Sequence, residues 1–140
     1  MSTDDVLYDG HSNQEWMEQL DKMDDWNTRH LLSLFALFGI PKSFLDVGCG
    51  TGIMTLTAQG MGIKAYGVDQ LVDDKWPKNF YHYNLVNLFK LPESVEMVVS
   101  FEVAEHLHES SHATFCDTLC ENLKRGNHFL IFSEIGRAHV

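Results

Sequence analysis

The chain has 140 residues, 44% hydrophobic and 21% charged, which is one domain at most and excludes a disordered or collagen-like polymer. Twenty acidic against ten basic side chains give a net charge of -10, which argues against an extended nucleic-acid surface. The excess is uneven: Asp4, Asp5, Asp9, Glu15, Glu18, Asp21, Asp24 and Asp25 face only Lys22, so -7 of the -10 lies in an acidic extension over residues 1–25. No apolar run approaches the roughly 20 residues that span a bilayer, and the acidic start Met1-Ser2-Thr3-Asp4-Asp5 is unlike a signal peptide, so a cytoplasmic chain with no membrane partner is expected.

In chain order, Trp16, Leu20, Met23, Trp26, His30, Leu34 and Leu37 recur at threes and fours, which predicts a helix from about Asn13 to Phe38, ended by Gly39 and Pro41. Short apolar runs then alternate with helical windows, the pattern of βα units around a parallel sheet. Strands are expected at Ser43 to Val47, Lys64 to Val68, Phe80 to Tyr83, Val95 to Phe101 and His128 to Ser133. Helices are expected from Gly52 to Met61 and from Ser110, a capping residue, to Arg125, closed by Gly126. Right-handed crossovers make this an α/β fold with a doubly wound, mostly parallel sheet. Cys116 and Cys120, four apart on the last helix, are expected as small core residues, since no second Cys pair completes a zinc site; with Cys49 they are expected as thiols. Residues 135–140 have neither periodicity nor turn logic and read as a translated sequencing-adapter oligonucleotide, so a non-native or truncated tail is expected there after a core over residues 26–134. A fifth strand left at the edge predicts pairing of two copies through it.

The most informative segment is Leu45-Asp46-Val47-Gly48-Cys49-Gly50-Thr51-Gly52, between a strand and a helix. Glycines at alternate positions let the backbone turn sharply and approach a ligand closely. A nicotinamide-dinucleotide loop requires glycine where Ile53 stands, and a P-loop requires Lys-Ser/Thr after Gly52. Asp46 also opposes a pyrophosphate and suits a ligand with a cationic end. Gly67-Val68-Asp69 puts a carboxylate at the tip of the second strand, where it can accept from both hydroxyls of a ribose.

Asp46-Val-Gly-Cys-Gly-Thr-Gly52, then Asp69, then Val98-Val-Ser-Phe-Glu-Val-Ala-Glu-His-Leu107 resemble the class I S-adenosylmethionine-dependent methyltransferases over about residues 26 to 133. The resemblance implies a Rossmann-like sheet in the order 3-2-1-4-5, here lacking the usual last two strands. It implies that the backbone around Gly48, Cys49, Gly50 and Thr51 lines the methionine moiety of S-adenosyl-L-methionine, with Asp46 near its amino group. Asp69 would hold the ribose, Gln70 and Leu71 would flank the adenine, and Asn84-Leu85 lies where many relatives carry Asp-Leu for the adenine amino group. The carboxamide of Asn84 can accept that hydrogen bond without the charge.

After the fourth predicted strand comes Glu102-Val103-Ala104-Glu105-His106-Leu107-His108. If a helical turn begins near Glu102, then Glu102, Glu105 and His106 share a face, and two carboxylates with an imidazole at that spacing can hold a divalent cation. The segment is similar to the Glu-x-x-Glu-His of ubiquinone-biosynthesis O-methyltransferases and small-RNA 2′-O-methyltransferases, which implies Mg²⁺ or another divalent cation on Glu102, Glu105 and His106, and also to phage and environmental methyltransferases. His108 and His112 read as surface residues, and His82 and Trp76 receive no role. The resulting expectation is an enzyme that moves a methyl group to a hydroxyl of a small molecule or RNA end. Glu102 and His106 are its catalytic candidates, and Glu102 also borders the cofactor. The alternative is a truncated cofactor-binding remnant without activity.

Overall fold

The computed structural model describes residues 6–7, 11–12, 28–126 and 128–133. The expectations for the rest of the acidic extension, for the first half of the long N-terminal helix and for the tail at 135–140 lie outside these residues. Val6–Leu7 and His11–Ser12 pair antiparallel as a two-residue ladder. The remainder is built on five strands: β1 (Ser43–Val47), β2 (Lys64–Asp69), β3 (Phe80–His82), β4 (Met97–Phe101) and β5 (Phe129–Ser133). They form one parallel sheet in the spatial order 3-2-1-4-5, as expected.

The central strand explains why both faces must be covered. In β1, Phe44, Leu45 and Val47 are fully buried, and alternation sends Phe44 to one face and Leu45 and Val47 to the other. On the first face, helix α1 (residues 28–38) and α2 (Ile53–Gly60) bring Leu31, Phe35, Met54 and Ala58 against Phe44, Ala65, Met97 and Val99. Gly39, at φ +91, ends α1 by donating its N–H to the Phe35 carbonyl at 2.8 Å. On the second face, α3 (His112–Glu121) and the stretch before β4 bring Phe115, Leu119, Leu85, Phe89 and Leu91 against Leu45, Val47, Val68 and Val98. Each fully buried Phe or Leu side chain contributes roughly 1.5–3 kcal/mol to this arrangement. Among the described residues, no helix is long and apolar enough to cross a membrane.

The last helix departs from its expected bounds. It starts at His112, after a 3-10 turn at Glu109–Ser111, and stops at Asn122 instead of running to Arg125. The cause is the buried Asn122 side chain. Its Nδ2 donates to the carbonyls of Thr118 (2.7 Å) and Phe89 (2.9 Å), and its Oδ1 accepts from Leu91 N–H (2.8 Å). With Val95 N–H donating to the Asn122 carbonyl at 2.8 Å, this side chain moors the stretch before β4 and turns the chain out of the helix. Val95 accordingly makes only an isolated bridge with Leu123, and β4 begins at Met97. The cysteine expectation is corrected as well: Cys116 and Cys120 are exposed thiols, because the face of α3 turned to the sheet is Phe115, Thr118 and Leu119.

Candidate functional site

β1 and β4 are neighbours, yet the chain leaves β1 towards β2 and leaves β4 towards β5. The two crossovers therefore cover opposite faces, and a crevice opens above the carboxyl ends of β1 and β4. The glycine loop, residues 48–52, sits on its β1 side. Gly48 N–H (2.8 Å) and Cys49 N–H (3.0 Å) both donate to the Val68 carbonyl, and Gly52 N–H donates to the Cys49 carbonyl at 2.8 Å. Gly48 and Gly52 are at φ +83 and +82, and neither has room for a side chain. A Cβ on Gly48 would run into both methyls of Val103, and one on Gly52 would lie 2.8 Å from the Phe80 ring and 3.1 Å from Trp76. Val103 is thus pressed onto the loop from the β4 side, which brings the two lips of the crevice into contact.

Asp69, at the tip of β2, ties the loop to the following segment. Its Oδ2 accepts from Gly50 N–H at 3.0 Å and its Oδ1 from Leu71 N–H at 2.9 Å. Burial pushes its pKa up, while the amides of Leu71, Gly50 and Gln70 and the charge on His82 pull it back. Asp46 is buried beneath the loop, 4% exposed, and burial reinforced by the charge of Asp69 pushes its pKa to about 8. Burial and the same two carboxylates hold the Cys49 thiol well above its ordinary range, so it is no nucleophile. The structure therefore brings Asp46, Gly48, Cys49, Gly50 and Asp69 together, with Thr51 half-buried in the loop, Leu71 half-buried and Gln70 exposed beside it.

Asn84 is exposed and caps its own turn, its Oδ1 accepting from Val86 N–H at 3.2 Å. The Leu85 side chain is buried in the core with Phe89 and Leu91. Two residues given no role from the sequence help shape the site. Trp76 and Phe80 pack edge to face at 5.3 Å and wall the end of the glycine loop. His82 Nδ1 lies 2.9 Å from the Val72 carbonyl and pins the 70–79 segment to β3. The sequence signal for Phe80 was Gly67, a glycine inside a strand, where a Cβ would lie 2.9 Å from the Phe80 ring and from Cys49 Sγ.

The segment after β4 does not form the expected helical face. Glu102 is left-handed at φ +55, and only then does a 3-10 turn form over Ala104–His106. That reversal separates Glu102 from the turn carrying Glu105 and His106. Among the described residues, no three His, Cys, Asp or Glu side chains converge as a cation site, so the divalent-cation expectation for Glu102, Glu105 and His106 is not supported. Glu105 instead turns inward, its side chain 4% exposed, with Oε1 3.6 Å from His106 Nε2. Oε2 is buried and has no hydrogen-bond partner among the described residues. His112 is exposed, as expected, and also holds the turn, its Nε2 lying 3.2 Å from the carbonyls of Ala104 and Leu107. His108 Nδ1 accepts from Ser110 N–H at 3.1 Å and caps the turn at Glu109–Ser111.

A doubly wound parallel sheet with its crevice at the switch point, a glycine loop after β1 and an acid ending β2 defines the Rossmann-like class of cofactor-binding folds. The methyltransferase-domain family matches residues 13–139, and the chain belongs to that family. Its fold is shared with the N-methyltransferase NodS from Bradyrhizobium japonicum, solved with S-adenosyl-L-homocysteine (TM-score 0.62, 20% identity, 77% of this chain and 60% of that one). It is shared also with DesVI from Streptomyces venezuelae (TM-score 0.66, 16% identity, 89% and 58%). A third is the 1,6-didemethyltoxoflavin-N1-methyltransferase from Burkholderia thailandensis, with its substrate and S-adenosylhomocysteine bound (TM-score 0.58, 19% identity, 74% and 52%). This chain thus spans between about half and three-fifths of the length of these structures. No curated protein sequence matches it.

Proposed function

We propose that the chain binds S-adenosyl-L-methionine in the crevice and directs its methyl group to a hydroxyl of a small molecule. The observation that carries the reading is Asp69, held at the tip of β2 between Gly50 N–H and Leu71 N–H with the buried Asp46 beside it. These residues fit that ligand. Asp69 keeps lone pairs for two ribose hydroxyls, and Asp46, protonated in the empty site, ionises to meet the cationic methionine end. Bound there, the sulfonium supplies an activated methyl, and the acceptor oxygen forms its bond to carbon as the carbon–sulfur bond breaks.

The chain's own residues then align and deprotonate. The glycine loop and Val103 fix the methionine end against β4, and near-attack alignment of this kind contributes up to roughly 7–11 kcal/mol. His106 takes the hydroxyl proton as general base, with Glu105 Oε1 3.6 Å from its Nε2. No resident cation enters this scheme. The test is calorimetry with S-adenosylhomocysteine followed by a methyl-release assay on alcohols, with and without a chelator. The expected result is cofactor binding and a turnover that the chelator leaves undiminished; failure to bind the nucleoside overturns the reading.

A further inference from the structure

The turn at 102–106 carries a carboxylate oxygen that the protein itself leaves unanswered. Glu105 Oε2 is buried without a partner among the described residues, and an unmatched buried carboxylate is costly unless a ligand completes it. The turn that holds it is fixed through its main chain. His106 N–H donates to the Val103 carbonyl at 3.0 Å, Leu107 N–H donates to the Ala104 carbonyl at 3.1 Å, and His112 reaches two of the turn's carbonyls. The same turn abuts the loop at the methionine end of the crevice, through Val103 against Gly48. Oε2 has essentially no solvent exposure in the empty site, so a group entering beside His106 reaches it only as the Glu105 side chain turns toward the crevice.

The chemistry of that group follows from its surroundings. Glu102 is half-buried at the neighbouring backbone reversal, Oε1 of Glu105 lies 3.6 Å from His106 Nε2, and Asp69 stands on the opposite lip. A hydroxyl would bring one donor and no charge, whereas an alkylammonium brings three donors and a positive charge to a desolvated carboxylate. Because Glu105 Oε1 lies 3.6 Å from His106 Nε2, the group held by Glu105 lies next to the group deprotonated by His106.

We infer that Glu105 is the acceptor-recognition residue and that the methyl acceptor is a small amino alcohol, its ammonium on Glu105 Oε2 and its adjacent hydroxyl at His106. This rests on the methyltransferase reading above and names the acceptor class for the same site. The test titrates the full chain with a set of vicinal amino alcohols and with diols of identical carbon skeleton, with and without S-adenosylhomocysteine, by calorimetry. The amino alcohols are expected to bind about tenfold more tightly than the matching diols, and Glu105→Gln, which keeps the shape and removes the charge, is expected to erase the difference. Equal affinities in the unmodified chain, a preference that survives Glu105→Gln, or no binding of either set overturns the inference. The comparison in the unmodified chain decides even if the variant does not fold. Loss of S-adenosylhomocysteine binding with the amine preference intact strikes the cofactor reading instead.

Discussion

The two lips of the crevice hold their polar groups in opposite ways. On the β1 side, the amides of Gly48, Cys49, Gly50 and Gly52 all have partners, and Asp69 shares its two oxygens between two segments. On the β4 side, the chain reverses at a left-handed glutamate, and the following turn buries a carboxylate oxygen of Glu105 that has no partner among the described residues. One lip is a finished cradle whose binding groups are backbone and an oriented acid. The other is, on the proposed reading, the side that meets the acceptor. On that reading, shape sits on the cofactor side and unmet charge on the acceptor side.

The contact between the lips is where this division breaks most visibly. Gly48→Ala combines a left-handed backbone with a clash against Val103, and we expect a loss of roughly 3–5 kcal/mol in denaturant unfolding. Repeating it in a Val103→Ala background should return the steric part and leave only the backbone cost of roughly 1–2 kcal/mol. If the double variant is no more stable than Gly48→Ala alone, Val103 is not what closes the lips. Next in size is Asp69→Ala. It removes the charged acceptor of the ribose and unties Gly50 from Leu71, so affinity for S-adenosylhomocysteine should fall about a hundredfold by calorimetry, or roughly 3 kcal/mol. An unchanged affinity would move the nucleoside out of this crevice.

The same contrast explains what could be read from the chain. Alternate glycines after Asp46 encode a loop by backbone permissiveness alone, and Gly67-Val68-Asp69 encodes a strand tip, so these two features were legible from residues adjacent in sequence, whereas the sheet order followed from the family resemblance. Glu102, Glu105 and His106 were legible as a cluster but not as a geometry. Their spacing specifies one face only if every intervening residue is helical, and the single φ of +55 at Glu102 breaks that condition. Nothing in the local composition marks Glu102 as left-handed; the reversal accompanies Val103 packing onto Gly48, a contact 55 positions away. Asn122 misled for a related reason. As a helix residue it is unremarkable, and its role appears only once Phe89 and Leu91, 33 and 31 positions earlier, present their backbone to it.

A pH titration sharpens the cofactor side. Burial and Asp69 hold Asp46 protonated up to about pH 8 in the folded chain, while the unfolded chain ionises it near its ordinary value of 3.8. The folded state therefore binds more protons between these limits. This group makes stability fall as pH rises from about 4 to 8 and has no further effect above. Cofactor affinity should run the other way, since the ammonium of S-adenosylhomocysteine prefers the ionised acid. It should strengthen by up to about tenfold per unit as pH approaches 8, and Asp46→Asn should flatten both slopes. Calorimetry between about pH 6 and 8.5 reads the affinity. A flat profile in the unmodified chain would mean that Asp46 is already ionised when the site is empty.

The smallest effect concerns the acceptor side and asks whether the reversal at Glu102 is a strain that the fold sustains. Glycine takes a φ of +55 freely, whereas alanine pays for it as glutamate does. Glu102→Gly should therefore be more stable than Glu102→Ala by roughly 0.5–1 kcal/mol, after the extra freedom of glycine in the unfolded chain is subtracted. Both variants lose the same carboxylate, so any difference between them in methyl transfer reports the backbone alone. We expect the glycine variant to be the more stable and the slower of the two. A relaxed reversal lets the 104–106 turn swing, and His106 then spends less time aligned with the acceptor. Equal rates would show that Val103 and His112 hold the turn in place without any help from residue 102.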